Sequence, residues 1–356
     1  MTLNHGPEAR REPKAARADS HELTRPEVFD MLLAYKNTAV LTTGIELGVF
    51  DAIAAGASTA AEVARAQSLD PRGAKLLLNA LSSLGLLESD SVTYGLPAGA
   101  DKLLVRGNPG FVGGMAKVMA STWEWDALRS LPDAVRRGGT VVAQHAETPE
   151  YAYWEDFAAY ADAVATPAAE LTADMLSTWA AGRERLNVLD MACGHGLYGY
   201  TLAARNPNAR VWSLDWPNVL PVALARADRM GIADRVGAIG GDMFGADLGG
   251  PYDVVMITNV LHHFSQDRAV ELLRRAAGVL AEDGRIVVVG FTVSDAPPAE
   301  NADAHLFSIL MLIWTNEGEV HSLRDYQRML HDAGFADPEA RNVAASPLWV
   351  ITARPV

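Results

Sequence analysis

The stretch Asn187–Gly196, reading NVLDMACGHG, constrains this chain more than any other, because an apolar run short enough to be a buried strand ends directly in closely spaced glycines. It predicts a strand that turns sharply into a helix. Gly194, Gly196 and Gly199 fall in the G-x-G-x-x-G spacing, where missing Cβ atoms permit both a tight turn and close approach of a ligand to the backbone. The spacing alone is weak. It gains weight from a second apolar run, Ala209–Asp215, whose terminal acid lies about twenty residues on, where a carboxylate would take ribose hydroxyls.

Charge separates the two ligand classes that fit such a turn. A dinucleotide brings a pyrophosphate, which favours helix N-termini and no nearby carboxylates. Here Asp190 precedes the first glycine, Asp215 ends the second strand, and Asp242 follows a third strand in Gly241-Asp-Met-Phe244. Acids in those places suit a cation that also carries ribose hydroxyls and an adenine amine. S-adenosylmethionine (SAM), with its sulfonium and ammonium, is the expected cofactor.

At 356 residues and 49% hydrophobic content the chain is long enough for a large core and two domains. A formal net charge of -14 disfavours sequence-independent binding to nucleic acid, which needs a basic face. The single cysteine, Cys193, excludes an intrachain disulfide and suits a reducing cytoplasm; inside the glycine turn, inert packing is its plainer use than a reactive thiol. No apolar run reaches membrane-spanning length and no signal-peptide core is present, so the expected location is the cytoplasm.

Residues 1–24 read as a polar, disordered arm, 25–110 as a first domain, 111–182 as a helical linker and pocket segment, and 183–356 as the cofactor domain. In the first domain, helical runs from Val28 to Ile53, after Ser58-Thr59 and after Asp70 are followed by short strand candidates near Leu86–Glu88 and Val92–Leu96, which makes a winged helix. Its charge would repel DNA: from residue 30 to 105 there are eight acids (Asp30, Glu46, Asp51, Glu62, Asp70, Glu88, Asp90, Asp101) against five bases (Lys36, Arg65, Arg72, Lys75, Lys102). Its apolar helices instead predict a homodimer. In the middle segment Trp123, Trp125 and the aromatic-rich 151–157 read mainly as core, with a pocket wall as the alternative, and Pro167 is expected to break or kink a long helix. From Leu186 onward strands (187–192, 209–214, 235–239, 252–258, 284–291) alternate with helices as a parallel α/β sheet requires, and 339–343 with 347–353 form a closing antiparallel pair.

With these residues in view, the chain resembles the two-domain class I SAM-dependent methyltransferases of the caffeate O-methyltransferase type and their bacterial relatives in natural-product tailoring. Asp190–Gly196 is similar to their glycine motif, Asp215–Leu220 to their ribose-binding turn and Gly241–Phe244 to their adenine-binding turn. The resemblance covers nearly everything after residue 25. It implies an α/β, Rossmann-like catalytic domain behind a winged-helix dimerisation domain. It also implies cofactor contacts from Asp190, Gly194, Gly196, Asp215, Trp216, Asp242, Met243, Phe244 and Asn259.

The catalytic end departs from the family. There a histidine in a His-Asp-Trp setting takes the proton from the acceptor hydroxyl; here the stretch is Asn259-Val-Leu-His-His-Phe264, so His262 falls at the base position and His263 replaces the aspartate. The glutamates that orient the base in plant members correspond to Gly290 and Val320, with Glu317 and Glu319 nearby. Met311 aligns with an acceptor contact, and plain core is its other reading.

Three readings of the function follow. The first is O-methylation of a phenol or enol. The second is C-methylation of a 2-oxo acid assisted by a divalent metal on His263 and His305, with His262 joining them, since relatives with that chemistry use a metal to stabilise an enolate; backbone capping by His263 and a solvent-facing His305 are the plainer alternative. The third keeps the fold and loses transfer, as in relatives that decarboxylate, hydroxylate or run pericyclic chemistry. A regulator that senses SAM or nucleic acid through the winged helix is disfavoured by charge.

Overall fold

The computed structural model describes residues 22–344 and 346–356. Most of the arm expected over 1–24 lies outside them. Seven strands form one sheet: β1 (Leu186–Met191), β2 (Ala209–Asp215), β3 (Val236–Gly240), β4 (Tyr252–Thr258), β5 (Leu280–Phe291), β6 (Phe335–Asn342) and β7 (Leu348–Pro355). Their order is β3-β2-β1-β4-β5-β7-β6, parallel from β3 to β5, with β7 antiparallel to both of its neighbours. The chain steps outward from β1 through β2 to β3 and then returns to the other side of β1 for β4. That reversal opens a crevice at the carboxyl ends of β1 and β4, where ligands of such sheets bind.

The strands are apolar on both faces because both faces are covered. On one side Val188, Val211 and Val350 pack with Leu176, Tyr200 and Leu202 of the helices Asp162–Ala180 and Leu197–Arg205. On the other, Leu189, Met191 and Val255 pack with Leu272 and Leu273 of the helix Gln266–Ala277 and Tyr326 of the helix Leu323–Asp332. The sheet is therefore a rigid shelf between two apolar layers. Its strand ends can hold groups in place that would drift on a loop.

The first domain assembles as a winged helix, with two helix starts built from local hydrogen bonds. Thr59 and Glu62 cap each other's backbone N–H groups, and Asp70 accepts from Gly73 N at 2.9 Å ahead of Pro71. The helix Pro71–Ser83 buries Ala74, Leu78 and Leu81, the two leucines against Val49, Phe50 and Val63, so the domain's own core uses its apolar stripe. The wing is a two-residue pair, Glu88–Ser89 against Tyr94–Gly95. The first helical run is interrupted where sequence reading continued it: Arg25–Glu46 ends before Gly48, whose φ of 67° leaves helical space, and Val49–Ala54 starts a new axis.

The helix Arg25–Glu46 buries only Gly44 and Ile45. Phe29, Met31, Leu32 and Tyr35 stay more than half exposed. An apolar helix that its own chain does not cover matches the expected use of this domain in self-association.

In the middle segment, short helices at Thr122–Arg129, Leu131–Arg137 and Tyr153–Tyr160 pack on the helix Ala302–Trp314 through Tyr151, Tyr153, Met311 and Trp314. Pro167 does not end a helix here. It sits early in Asp162–Ala180, and the break falls earlier, at Ala161, whose backbone N–H turns back to Phe157 O. As the sixth residue of that helix it forfeits one backbone bond, and the helix continues through it.

Gly196 starts the helix after β1 with φ of 72°, and a Cβ there would lie 2.2 Å from the Tyr200 ring. Both conformation and space demand glycine. Gly196→Ala should lower stability by about 2 kcal/mol or more, read as an earlier urea midpoint. A second expectation concerns the uncovered first helix. Light scattering at micromolar concentration should give twice the chain mass, and Leu32→Glu with Phe29→Glu should return the monomer mass.

Candidate active site

The sheet's carboxyl edge places the predicted cofactor groups side by side. Asp215, at the end of β2, accepts from Gly194 N at 2.7 Å with one oxygen and from Trp216 N at 2.7 Å with the other. This clamp fixes the glycine turn, in which Ala192 and Gly194 both take a φ of 53°. A Cβ on Gly194 would meet nothing within 4 Å, so this turn faces open space. Burial pushes the Asp215 carboxyl up to about 6, against the two backbone bonds that stabilise its anion.

Asp190 plays a different part from Asp215. It is completely buried at the end of β1, accepts from Gly199 N at 3.2 Å, and leaves Oδ1 with no partner. Burial pushes it up to about 8, and the nearby Asp215 charge adds to the rise. Asp242 is exposed and accepts from Phe244 N at 2.9 Å, closing the turn after β3, while Phe244 packs edge-on against Phe264 and under Arg268. The three acids therefore stand at three depths: one beneath the turn, one in it and one at the rim.

One cavity joins these groups to the middle segment. From the cofactor domain, Gly194, Asp215, Trp216, Met243 and Asn259 line it, together with Tyr198 and His263. Across from them stand Ala146, Trp154 and Phe157. Its enclosed space is only about 80 Å³, against the roughly 300–1,000 Å³ of small-molecule sites, so the walls must separate to admit ligands. A larger groove of about 840 Å³ lies between the segment after β5 and the helix Leu323–Asp332, but its rim of Asp295, Glu300, Asp303 and Arg324 is solvated and it touches none of the glycine-turn groups.

The histidine pair occupies a single 3-10 turn, Leu261–His263, directly after β4. His263 lines the cavity with its ring 5.4 Å from Trp154. His262 lies behind it, 2% exposed, against Phe307 at 5.0 Å and Phe291 at 6.0 Å, and its Nδ1 has no partner. Burial holds His262 well below the ordinary imidazole range and brings His263 down to about 4, so both rings are neutral at pH 7. His321 supports the turn from beneath, its Nε2 3.4 Å from Leu261 O. Glu319 sits 3.9 Å from His321 Nδ1 rather than beside His262.

The metal reading is corrected by this arrangement. Phe307 turns its ring to His262, and His305, two residues earlier on the same helix, projects from roughly the opposite side. No group of three or more His, Cys, Asp or Glu side chains that could hold a metal occurs among the described residues. His263 and His305 therefore do not form the expected ligand set. Met311 lies 1% exposed in the aromatic core of the middle segment and is not part of the cavity wall. The missing carboxylate at Gly290 also has a spatial cause, since a Cβ there would lie 2.3 Å from the Tyr326 hydroxyl.

Sequence reasoning overlooked Tyr198, which faces the cavity from the first turn of the helix after the glycines and accepts from Asn259 Nδ2 at 3.0 Å. An aromatic hydroxyl one residue after that helix begins was the available signal. Trp154 and Phe157 were visible only as members of an aromatic cluster.

The fold and site define a class I methyltransferase that uses SAM. A family model described as O-methyltransferase domain matches residues 156–336, and one described as O-methyltransferase dimerisation domain matches residues 29–106. The chain belongs to the O-methyltransferase family, is a SAM-dependent enzyme and carries the family's homodimerisation domain.

Among its relatives, the 3-hydroxy-5-methyl-1-naphthoate 3-O-methyltransferase of Streptomyces sahachiroi is 28% identical, over 89% of this chain and 93% of that one. The tetracenomycin polyketide synthesis 8-O-methyl transferase of Streptomyces glaucescens is 27% identical, over 92% and 96%. A candidate O-methyltransferase of Nostoc punctiforme superposes with a TM-score of 0.85 at 30% identity, covering 94% of this chain and all of that one. Human N-acetylserotonin methyltransferase, solved with SAM, shares the fold with a TM-score of 0.78 at 23% identity, over 95% and 99%. No helix among the described residues is long and apolar enough to cross a membrane.

Asp190 yields a pH expectation with a definite sign. A buried carboxyl whose pKa is raised favours the folded state below the free value of 3.8 and withdraws that support as pH climbs toward about 8. Over that window the melting temperature of the ligand-free wild type should fall relative to that of Asp190→Asn, since the depressed histidines act in the opposite sense in both proteins alike. Parallel profiles would exclude a contribution from Asp190.

Proposed function

We propose that the enzyme methylates a hydroxyl on a small planar acceptor, a phenol or an enol, in natural-product tailoring. The observation that carries this reading is the cavity that Trp154, Phe157 and His263 line together with Gly194 and Asp215 of the glycine turn. Flat aromatic walls favour a flat acceptor. Bound SAM supplies the electrophilic methyl group. The relatives named above support the acceptor class, since one acts on a hydroxynaphthoate and another in tetracenomycin polyketide synthesis.

Within this reading Asp215 takes the ribose hydroxyls and Trp216 and Met243 flank the adenosine, with Asp242 and Phe244 shaping the turn beside the adenine. Asp190 and Gly196 act from behind by fixing the glycine turn. His262 takes the acceptor's proton. It is neutral, and its Nδ1 is buried without a partner. Phe291 and Phe307, stacked 4.1 Å apart, close over it, so the acceptor gains access as that pair parts.

Proton transfer in so dry a place is acceptable because net charge is conserved. The positive charge leaves sulfur as the methyl–oxygen bond forms, and it reappears on the imidazole that receives the proton. Alignment of the acceptor oxygen with the methyl carbon supplies the rest of the rate.

A screen of hydroxylated aromatics with SAM, read as S-adenosylhomocysteine released, should find turnover. Against such an acceptor His262→Ala should lower turnover roughly 10²–10⁴-fold while leaving S-adenosylhomocysteine binding intact. Full activity in that variant would remove His262 from the proton step. Asp215→Ala should weaken S-adenosylhomocysteine by the roughly 1.5–3 kcal/mol of a hydrogen bond to a charged group, or more if both hydroxyls are lost. Unchanged affinity would sink its assignment to the ribose.

A further inference from the structure

Tyr198 and Asn259 make a polar pair inside the cavity that the reading above leaves unused. Tyr198 is 1% exposed and its phenolic oxygen accepts from Asn259 Nδ2 at 3.0 Å, so the phenol's own proton remains to be given. Asn259 Oδ1 is buried without a partner, on a residue held at a φ of 56° immediately after β4. The pair thus presents one donor and one acceptor. Buried groups of this kind are costly unless a ligand completes them.

Position along the sheet says which part of the ligand that is. This step rests on the SAM reading. Met243 follows β3, Asp215 ends β2, Gly194 follows β1 and Asn259 follows β4, and these strands lie in the order β3-β2-β1-β4. A ligand with adenine beside Met243 and ribose on Asp215 brings its far end over the glycine turn to Tyr198 and Asn259. That end is an amino acid with a carboxylate and an ammonium. Among the described residues no Lys or Arg lines the cavity, and Asp215 in its wall repels anions, so a neutral donor suits the carboxylate.

We propose that Tyr198 and Asn259 seat the amino-acid end of SAM, the Tyr198 hydroxyl donating to the carboxylate and Asn259 Oδ1 accepting from the ammonium. The pair then also decides where the sulfonium stops, one step short of His263.

Calorimetry with two ligands tests this. S-adenosylhomocysteine carries the amino-acid end, and 5′-methylthioadenosine has the same adenosine and sulfur without it. Tyr198→Phe keeps the ring and removes the donor; it should weaken S-adenosylhomocysteine about ten- to a hundredfold and leave 5′-methylthioadenosine within about twofold. Asn259→Leu, which keeps the bulk and removes the acceptor for the ammonium, should show the same split. Retained affinity for 5′-methylthioadenosine reports that each variant is folded. Equal loss for both ligands, or no loss for S-adenosylhomocysteine, overturns the proposal. A wild-type protein that binds neither ligand would overturn the cofactor reading, and the proposal with it.

Discussion

The site depends on one carboxylate. Asp215 reaches from the end of β2 to the backbone of Gly194 and holds the turn that follows β1, so two parallel strands are pinned together where the chain leaves the sheet. A carboxylate accepting backbone N–H groups is among the stronger local contacts a protein can make, and here it is buried as well. It works only because the sheet is rigid behind it. The strands are covered on both faces, and the glycines allow a backbone path that side chains would block.

That clamp also orders the charges. Asp190, sealed beneath the turn with a carboxyl raised to about 8, adds little negative charge to the ligand-free protein at neutral pH. Asp215, raised to about 6 and in contact with the cavity, is mostly ionised there and meets the ligand directly. Two acids of the same type thus differ in burial and in role. Burial has the opposite sign for the histidines, holding both rings neutral and able to accept a proton.

The acceptor side is built from parts far apart in the chain. Trp154 and Phe157 come from the middle segment, the histidine turn from the end of β4, and Phe307 from the helix that follows β5. Glu147 ties two of these parts together by accepting from Asn316 N at 2.6 Å and from its side-chain amide at 3.1 Å. Gly318 packs so tightly under the histidine turn that a Cβ would lie 2.5 Å from His262 O. Packing, more than any single ion pair, sets where the two imidazoles stand.

The sequence by itself determined the sheet, the glycine turn, the ribose acid and the winged helix, because each is written in near neighbours: an apolar run of strand length, glycines at set spacing, an acid at a strand end, a capped helix. It placed strands within a residue or a few of where they stand, missing most at the starts of β5 and β6. What it did not determine is which side chains face one another. The triad His262, His263 and His305 was a plausible ligand set on paper, but helix rotation sends His305 away from the ring that Phe307 meets. Tyr198 was unremarked for the converse reason, since its partner Asn259 lies 61 residues on and only the parallel pairing of β1 with β4 brings them within 3.0 Å. Local patterns follow from backbone geometry, whereas convergence of distant side chains depends on strand order, helix rotation and packing, which only the tertiary structure decides.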